Sequence, residues 1–251
     1  MKRAVGILIT IAVISAPLLA GNHDKSLAKA EKDSAARHVV DAGSFGIYVN
    51  GRRIGTEKFH VEQGATSSLA TSEVAIEDGN TRATQASEWE LAANGSLLHY
   101  HWREDSPEKA QTFIEPNTDF LIQRTTLKAD DKPMEQPYIL PASTPILDDY
   151  FFLHREILVW RYLASVCESA PTGLIKCKDE PGKFGVLIPR QHTSMPVQIE
   201  FRGAEKLAIH GTQRDVNRFT LTGDGTEWQL WVDHDNKLVR VVVAGMEVLR
   251  D

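Results

Sequence analysis

Short runs of alternating apolar and polar residues, punctuated by Gly-containing turn pairs, leave this chain little choice but an antiparallel sheet. Phe45, Ile47 and Val49 alternate with Gly46 and Tyr48, Asn50-Gly51 follows, and Arg52 to Val61 continues the extended pattern. Period-two alternation sends successive side chains to opposite faces of a strand. Asn-Gly between two such runs signals a hairpin, because both central residues of a type I′ turn take positive φ. Leu69 to Ile76, Thr84 to Leu91 and Leu97 to Trp102 continue the pattern, separated by Glu77-Asp78-Gly79-Asn80 and by Asn94-Gly95. With Gln111 to Ile114 and Phe120 to Leu127, they predict an antiparallel meander.

Four prolines, Pro133, Pro137, Pro141 and Pro145, interrupt this pattern and predict a crossover loop without lasting regular structure. Beyond them, Phe151, Phe152, Ile157, Leu158, Tyr162 and Leu163 fall mostly at helical spacing, and Asp148 is a suitable cap. One helix is expected, roughly Asp148 to Leu163, buried against the sheet by its aromatic residues. Strand patterns resume at Phe184 to Ile188, Val197 to Phe201, Lys206 to His210, Arg218 to Leu221, Glu227 to Val232, Lys237 to Val243 and Met246 to Leu249. The expected fold is mainly β: a curved antiparallel sheet or incomplete β-barrel with one principal packed helix, forming a single domain over 44–251.

The N-terminus reads as an export signal. Lys2 and Arg3 precede an uncharged stretch from Ala4 to Ala20, and Gly21, Asn22, His23 and Asp24 turn polar. As a helix, Val5 to Ala20 would measure about 24 Å, short of the ~30 Å hydrocarbon core. Cleavage near Ala20 is therefore expected, with residues 1–20 removed and the mature protein beginning at Gly21. Asn22 stands where a lipidated cysteine would have to be, so neither a lipid anchor nor any other permanent membrane anchor is expected. Residues 21–43 carry few large apolar side chains and read as a flexible linker. The expected location is periplasmic or secreted.

Cleavage removes Lys2 and Arg3, which takes the formal charge from −6 to −8. That argues against a nucleic-acid partner, which would require a basic stripe. Cys167 and Cys177 are the only cysteines, and an oxidising compartment predicts a disulfide between them, two buried free thiols being the alternative. The intervening Pro171-Thr172-Gly173 can reverse the chain.

Two motifs look familiar together: Gly46-Ile47-Tyr48-Val49-Asn50-Gly51-Arg52-Arg53-Ile54-Gly55, and Trp231-Val232-Asp233-His234-Asp235-Asn236-Lys237-Leu238-Val239-Arg240-Val241. They resemble bacterial envelope families of unknown function whose fold is similar to the lipoprotein-carrier half-barrel. The resemblance spans most of the domain and implies an incomplete barrel curved around a helix, with an apolar concave face of the kind that shelters acyl chains. It brings no catalytic motif and no cofactor.

Chemistry-bearing clusters are sparse. His99 and His101 lie two apart in a strand and share a face, which begins a zinc site but lacks a third ligand. Asp233, His234 and Asp235 precede Asn236 and Lys237 in a turn, where Asp and Asn serve backbone needs. Ser194 and His192 have no nucleophile signature around them. No catalytic residue and no metal site is assigned. Phe151, Phe152, Trp160 and Trp231 are the candidates for lining an apolar ligand site, although core filling requires the same residues on the same face. Trp228 and Trp231 face opposite sides of one strand, so one of the two meets the concavity.

Two functions follow. One is a non-enzymatic binding or assembly protein whose partner is an apolar ligand or another envelope protein. The other is a hydrolase or metal-dependent enzyme with an unrecognised site.

Overall fold

The computed structural model describes residues 37–128, 131–169, 175–178 and 180–251. The expected export signal, the linker as far as residue 36 and the Pro171-Thr172-Gly173 turn lie outside the described residues. Eight strands come first: β1 (His38–Val49), β2 (Arg52–Gln63), β3 (Ser67–Asp78), β4 (Thr81–Ala92), β5 (Leu97–Ser106), β6 (Ala110–Asn117), β7 (Phe120–Thr126) and β8 (Met134–Tyr138). The helix α1 (Phe152–Val166) follows, then the short strands β9 (Cys167–Ser169) and β10 (Ile175–Cys177). Six strands complete the chain: β11 (Gly182–Ile188), β12 (Thr193–Ile209), β13 (Thr212–Gly223), β14 (Thr226–Val232), β15 (Leu238–Val243) and β16 (Met246–Arg250).

Fourteen of these strands form one antiparallel sheet in the order β11-β12-β13-β14-β15-β16-β1-β2-β3-β4-β5-β6-β7-β8. Every neighbour in it is a sequence neighbour except where β16 returns to β1, pairing Phe45 with Arg250 and Val49 with Met246. Two meanders are thereby stitched into one sheet, left open between β8 and β11. In that gap the segment before α1 lies along β11, with Leu147 and Leu187 donating their N–H groups to Leu187 and Pro145 at 2.9 Å each. The Asn50-Gly51 turn has positive φ at both residues, 50° and 76°, as a type I′ hairpin requires.

Three expectations are corrected. β1 begins at His38, inside the expected 21–43 linker, because irregular pairing between Val39 and Asp41 lets it stay on β2 as far as Gln63. The proline-rich crossover contains β8, and Pro137 is tolerated there because β8 is an edge strand. The strands expected at Val197 to Phe201 and Lys206 to His210 are one strand, β12, which ends at Ile209. A register irregularity between Phe201 and Gly203, whose φ is 114°, absorbs the break and pairing with β13 continues.

The sheet curls around α1. From Phe152 to Val159 every helix residue is buried, so no face of this half of the helix meets water. Its partners come from both halves of the sheet: Glu57 on β2, Trp228 on β14, Leu238 on β15 and Gly182 on β11. A second, smaller cluster of Ile209, Val216, Trp231 and Val239 lies apart from this core. Cys167 and Cys177 are paired across β9 and β10 with their sulfurs at bonding distance, 2.13 Å.

Candidate functional site

Burying a helix on all sides leaves its N-terminal amides without water, and the chain answers with side chains from distant strands. Asp148 was expected to cap α1, but the residue in the cap position is Phe151, which offers no side-chain acceptor. The cap comes from Glu57. One carboxylate oxygen accepts the Phe152 N–H at 2.6 Å, and the other accepts the Leu153 N–H at 3.3 Å and the Ser72 hydroxyl at 2.5 Å. Burial raises the Glu57 pKa to about 7, against the opposing effect of these three donors.

Asp148 is itself fully buried and accepts the Tyr100 hydroxyl at 2.6 Å and the Arg190 N–H at 3.2 Å. Burial raises its pKa to about 6. Its backbone N–H donates to His154 Nδ1 at 3.1 Å, and His154 Nε2 lies 3.4 Å from Ser87 Oγ. Serine, histidine and aspartate thus meet, but in the wrong order for a nucleophile. Because Nδ1 accepts, the neutral ring carries its proton on Nε2, which points at Ser87 and cannot withdraw the hydroxyl proton. Burial also depresses the His154 pKa to about 3. Arg155 lies 4.1 Å above the Trp228 ring and donates to the carbonyls of Asp148 and Phe151.

A third network clamps α1 to the seam where β16 meets β1. Asp41 accepts from Arg250 at 2.5 Å and lies 3.2 Å from Lys237. Burial opposes its charge, but hydrogen bonds from Arg250, Glu156 and Lys237 outweigh that and hold its pKa below the usual value. Burial and the Asp41 charge push Glu156 well above its own usual value, so Glu156 is the protonated partner and donates to Asp41. Glu156 also accepts the Leu238 N–H at 3.1 Å.

From Trp160 onward one side of the helix reaches the surface, and a groove of about 370 Å³ opens between it and β1 to β4. Val61, Ala70, Trp89 and Ile157 form its buried floor, and Val40, Leu91 and Trp160 its half-buried or exposed rim. Ile157, Trp160, Arg161 and Ala164 face the groove together because they fall at i, i+3, i+4 and i+7 of one helix. The lining is predominantly apolar, as in sites that hold small apolar molecules in ~300–1,000 Å³. Among the described residues Arg161 is the one charged side chain on it.

The sequence candidates separate across this structure. Trp160 lines the groove and donates its indole N–H to the Asn236 carbonyl at 2.7 Å. Phe151 and Phe152 are completely buried in the main core. Trp231 is corrected as a concave-face candidate: strand alternation turns Trp228 inward onto Arg155, so Trp231 lies in the second cluster, donating to Glu205 at 2.6 Å and stacked under Arg240. His99 lies between Glu88 and Glu90, at 2.9 and 3.3 Å, while His101 stacks on Phe113, so the two do not converge on a shared third ligand. Asp233, His234 and Asp235 form the one three-residue cluster of potential metal ligands among the described residues. An Asp233 oxygen in it accepts the N–H groups of Asp235 and Lys237, as a turn requires.

Two groups escaped sequence reasoning although a signal existed for each. Glu57 occupies the same face of β2 as Phe59 and Val61, a charged residue in an apolar alternation. Arg161 interrupts the helical stripe that carries Ile157 and Trp160. Among the described residues no helix is long and apolar enough to cross a membrane. No protein-family model, curated protein or solved structure matches this chain significantly.

Proposed function

We propose that this chain is a non-enzymatic binding protein of the bacterial envelope, exported and cleaved near Ala20, that shelters an apolar ligand between α1 and the sheet. The groove carries this reading. It is apolar, partly open, and placed where the helix leaves an otherwise tightly filled concavity. A core evolved only for stability would close over Trp89 and Ile157 rather than leave about 370 Å³ beside them. The bonded cysteines fit an oxidising compartment, and the motif resemblance to the lipoprotein-carrier half-barrel points the same way. The enzyme alternative needs convergent polar residues in a cleft. The nearest arrangements are the buried Ser87 and His154 pair and the exposed Asp233 turn, and neither supports it.

The test is to isolate the exported protein, extract it with organic solvent and identify what is released, then titrate the extracted protein with a neutral naphthylamine probe that fluoresces in apolar surroundings. The expected results are a co-purifying apolar molecule and saturable probe binding that the molecule displaces. An extract without apolar material, together with no saturable probe signal, overturns the reading.

A further inference from the structure

The guanidinium of Arg161 is held at the groove by backbone carbonyls. It donates to the Ser143 carbonyl at 2.6 Å and to the Gly95 carbonyl. Two loops thereby fix its position: the turn between β4 and β5, and the proline-rich crossover before α1. Carbonyls satisfy donors but do not neutralise charge. Among the described residues no carboxylate lies within ion-pair distance of Arg161, whereas Arg37, Arg53, Arg124, Arg190 and Arg250 each have one. The chain is acidic overall, with 34 Asp and Glu against 28 Lys and Arg, yet Arg161 stands on the apolar groove without an acid beside it. Burial lowers its pKa, desolvation being the cause. A half-buried cation in apolar surroundings gains most from an anion that brings its own apolar body.

We propose that the groove binds a single-chain amphiphile whose anionic head pairs with Arg161 while its apolar chain lies over Trp89, Ile157 and Trp160. This rests on the apolar-ligand reading of the same groove and adds the charge of the ligand. The guanidinium's fork accepts either a carboxylate or a phosphate, so the shared requirement is an anionic head, and the head group of the natural ligand is resolved by comparing the two.

The experiment displaces the neutral naphthylamine probe from the full exported protein with three amphiphiles of equal chain length: dodecanoate, dodecyl phosphate and dodecanol. The wild-type protein is expected to bind at least one anion about tenfold or more tightly than the alcohol, and added salt to narrow the gap. Arg161→Gln should bring the anions down to the affinity of the alcohol, so that the ratio between them falls to about one. Arg161→Lys should keep part of the preference. Equal affinity for anions and alcohol in the wild type overturns the proposal without needing any variant to fold, while leaving the apolar-ligand reading in place. A preference that survives Arg161→Gln overturns it as well. Failure of all three to displace the probe, or of the probe to bind, overturns the apolar-ligand reading and this proposal with it.

Discussion

Glu57 reaches from the second strand to accept the backbone N–H of Phe152 at 2.6 Å, so a residue 95 positions away in sequence caps the one long helix among the described residues. The helix cannot form its first turn in the core without the sheet, and the sheet cannot bury this carboxylate without the helix.

That coupling predicts a pH signature. Burial raises the folded-state pKa of Glu57 from 4.5 to about 7. Between these values the folded chain holds a proton that the unfolded chain has lost. Its contribution is therefore fully present below about pH 4.5 and disappears as pH rises through about 7. Glu57→Gln removes the ionisation and keeps one acceptor for the helix amides. Denaturant titrations from pH 5 to pH 8 should show the wild type losing on the order of 3 kcal/mol relative to the variant. The contributions of Asp148 and His154 are common to both proteins and cancel. Parallel profiles would mean that Glu57 ionises alike in both states.

The Asp41, Glu156 and Arg250 network predicts a contrast between two substitutions. Arg250→Ala strips the closest cation from a buried carboxylate and is expected to cost about 3 kcal/mol or more. Glu156→Gln replaces a protonated acid by an amide that still donates to Asp41 and still accepts from Leu238, and should stay within about 1 kcal/mol. Urea midpoints measure both. An equally large loss for Glu156→Gln would show that Glu156 is ionised.

Three aromatic residues should divide stability from binding. Phe152→Ala, in the filled core, should lower the unfolding free energy by about 3–5 kcal/mol. Trp160→Ala, at the rim, should weaken naphthylamine binding severalfold. Trp231→Phe, in the separate cluster, should leave that binding unchanged. Probe affinity that follows Trp231 instead of Trp160 would place the ligand on the other face of the sheet.

Removal of the cross-link between Cys167 and Cys177 is expected to destabilise the protein by about 3 kcal/mol on the chain-entropy estimate for so short a loop. The double variant Cys167→Ser, Cys177→Ser should unfold at lower urea, and non-reducing mass analysis of the wild type should show two hydrogens missing. Freely alkylated thiols in the folded protein would contradict the bonded pair.

Alternation and turn chemistry determined most of the architecture from sequence alone. Asn50-Gly51 adopts the positive φ pair that its composition demands, and the Asp233 side chain binds the turn amides for the same local reason. The cysteine pair and the helix α1 were legible too, because each depends on contacts within a few residues or on spacing. What only the tertiary structure decided is what long-range closure decides: that β16 pairs with β1, that β1 extends back to His38, and that Glu57 rather than Asp148 caps the helix. The groove belongs to this second class. Trp89 and Trp160 are both aromatic residues with core-like neighbours in sequence, and whether one floors a cavity depends on how far the sheet curls round the helix. Packing volume is summed over the whole concavity, so no local pattern encodes it. That no carboxylate among the described residues lies within ion-pair distance of Arg161 is likewise invisible until those residues are placed in space.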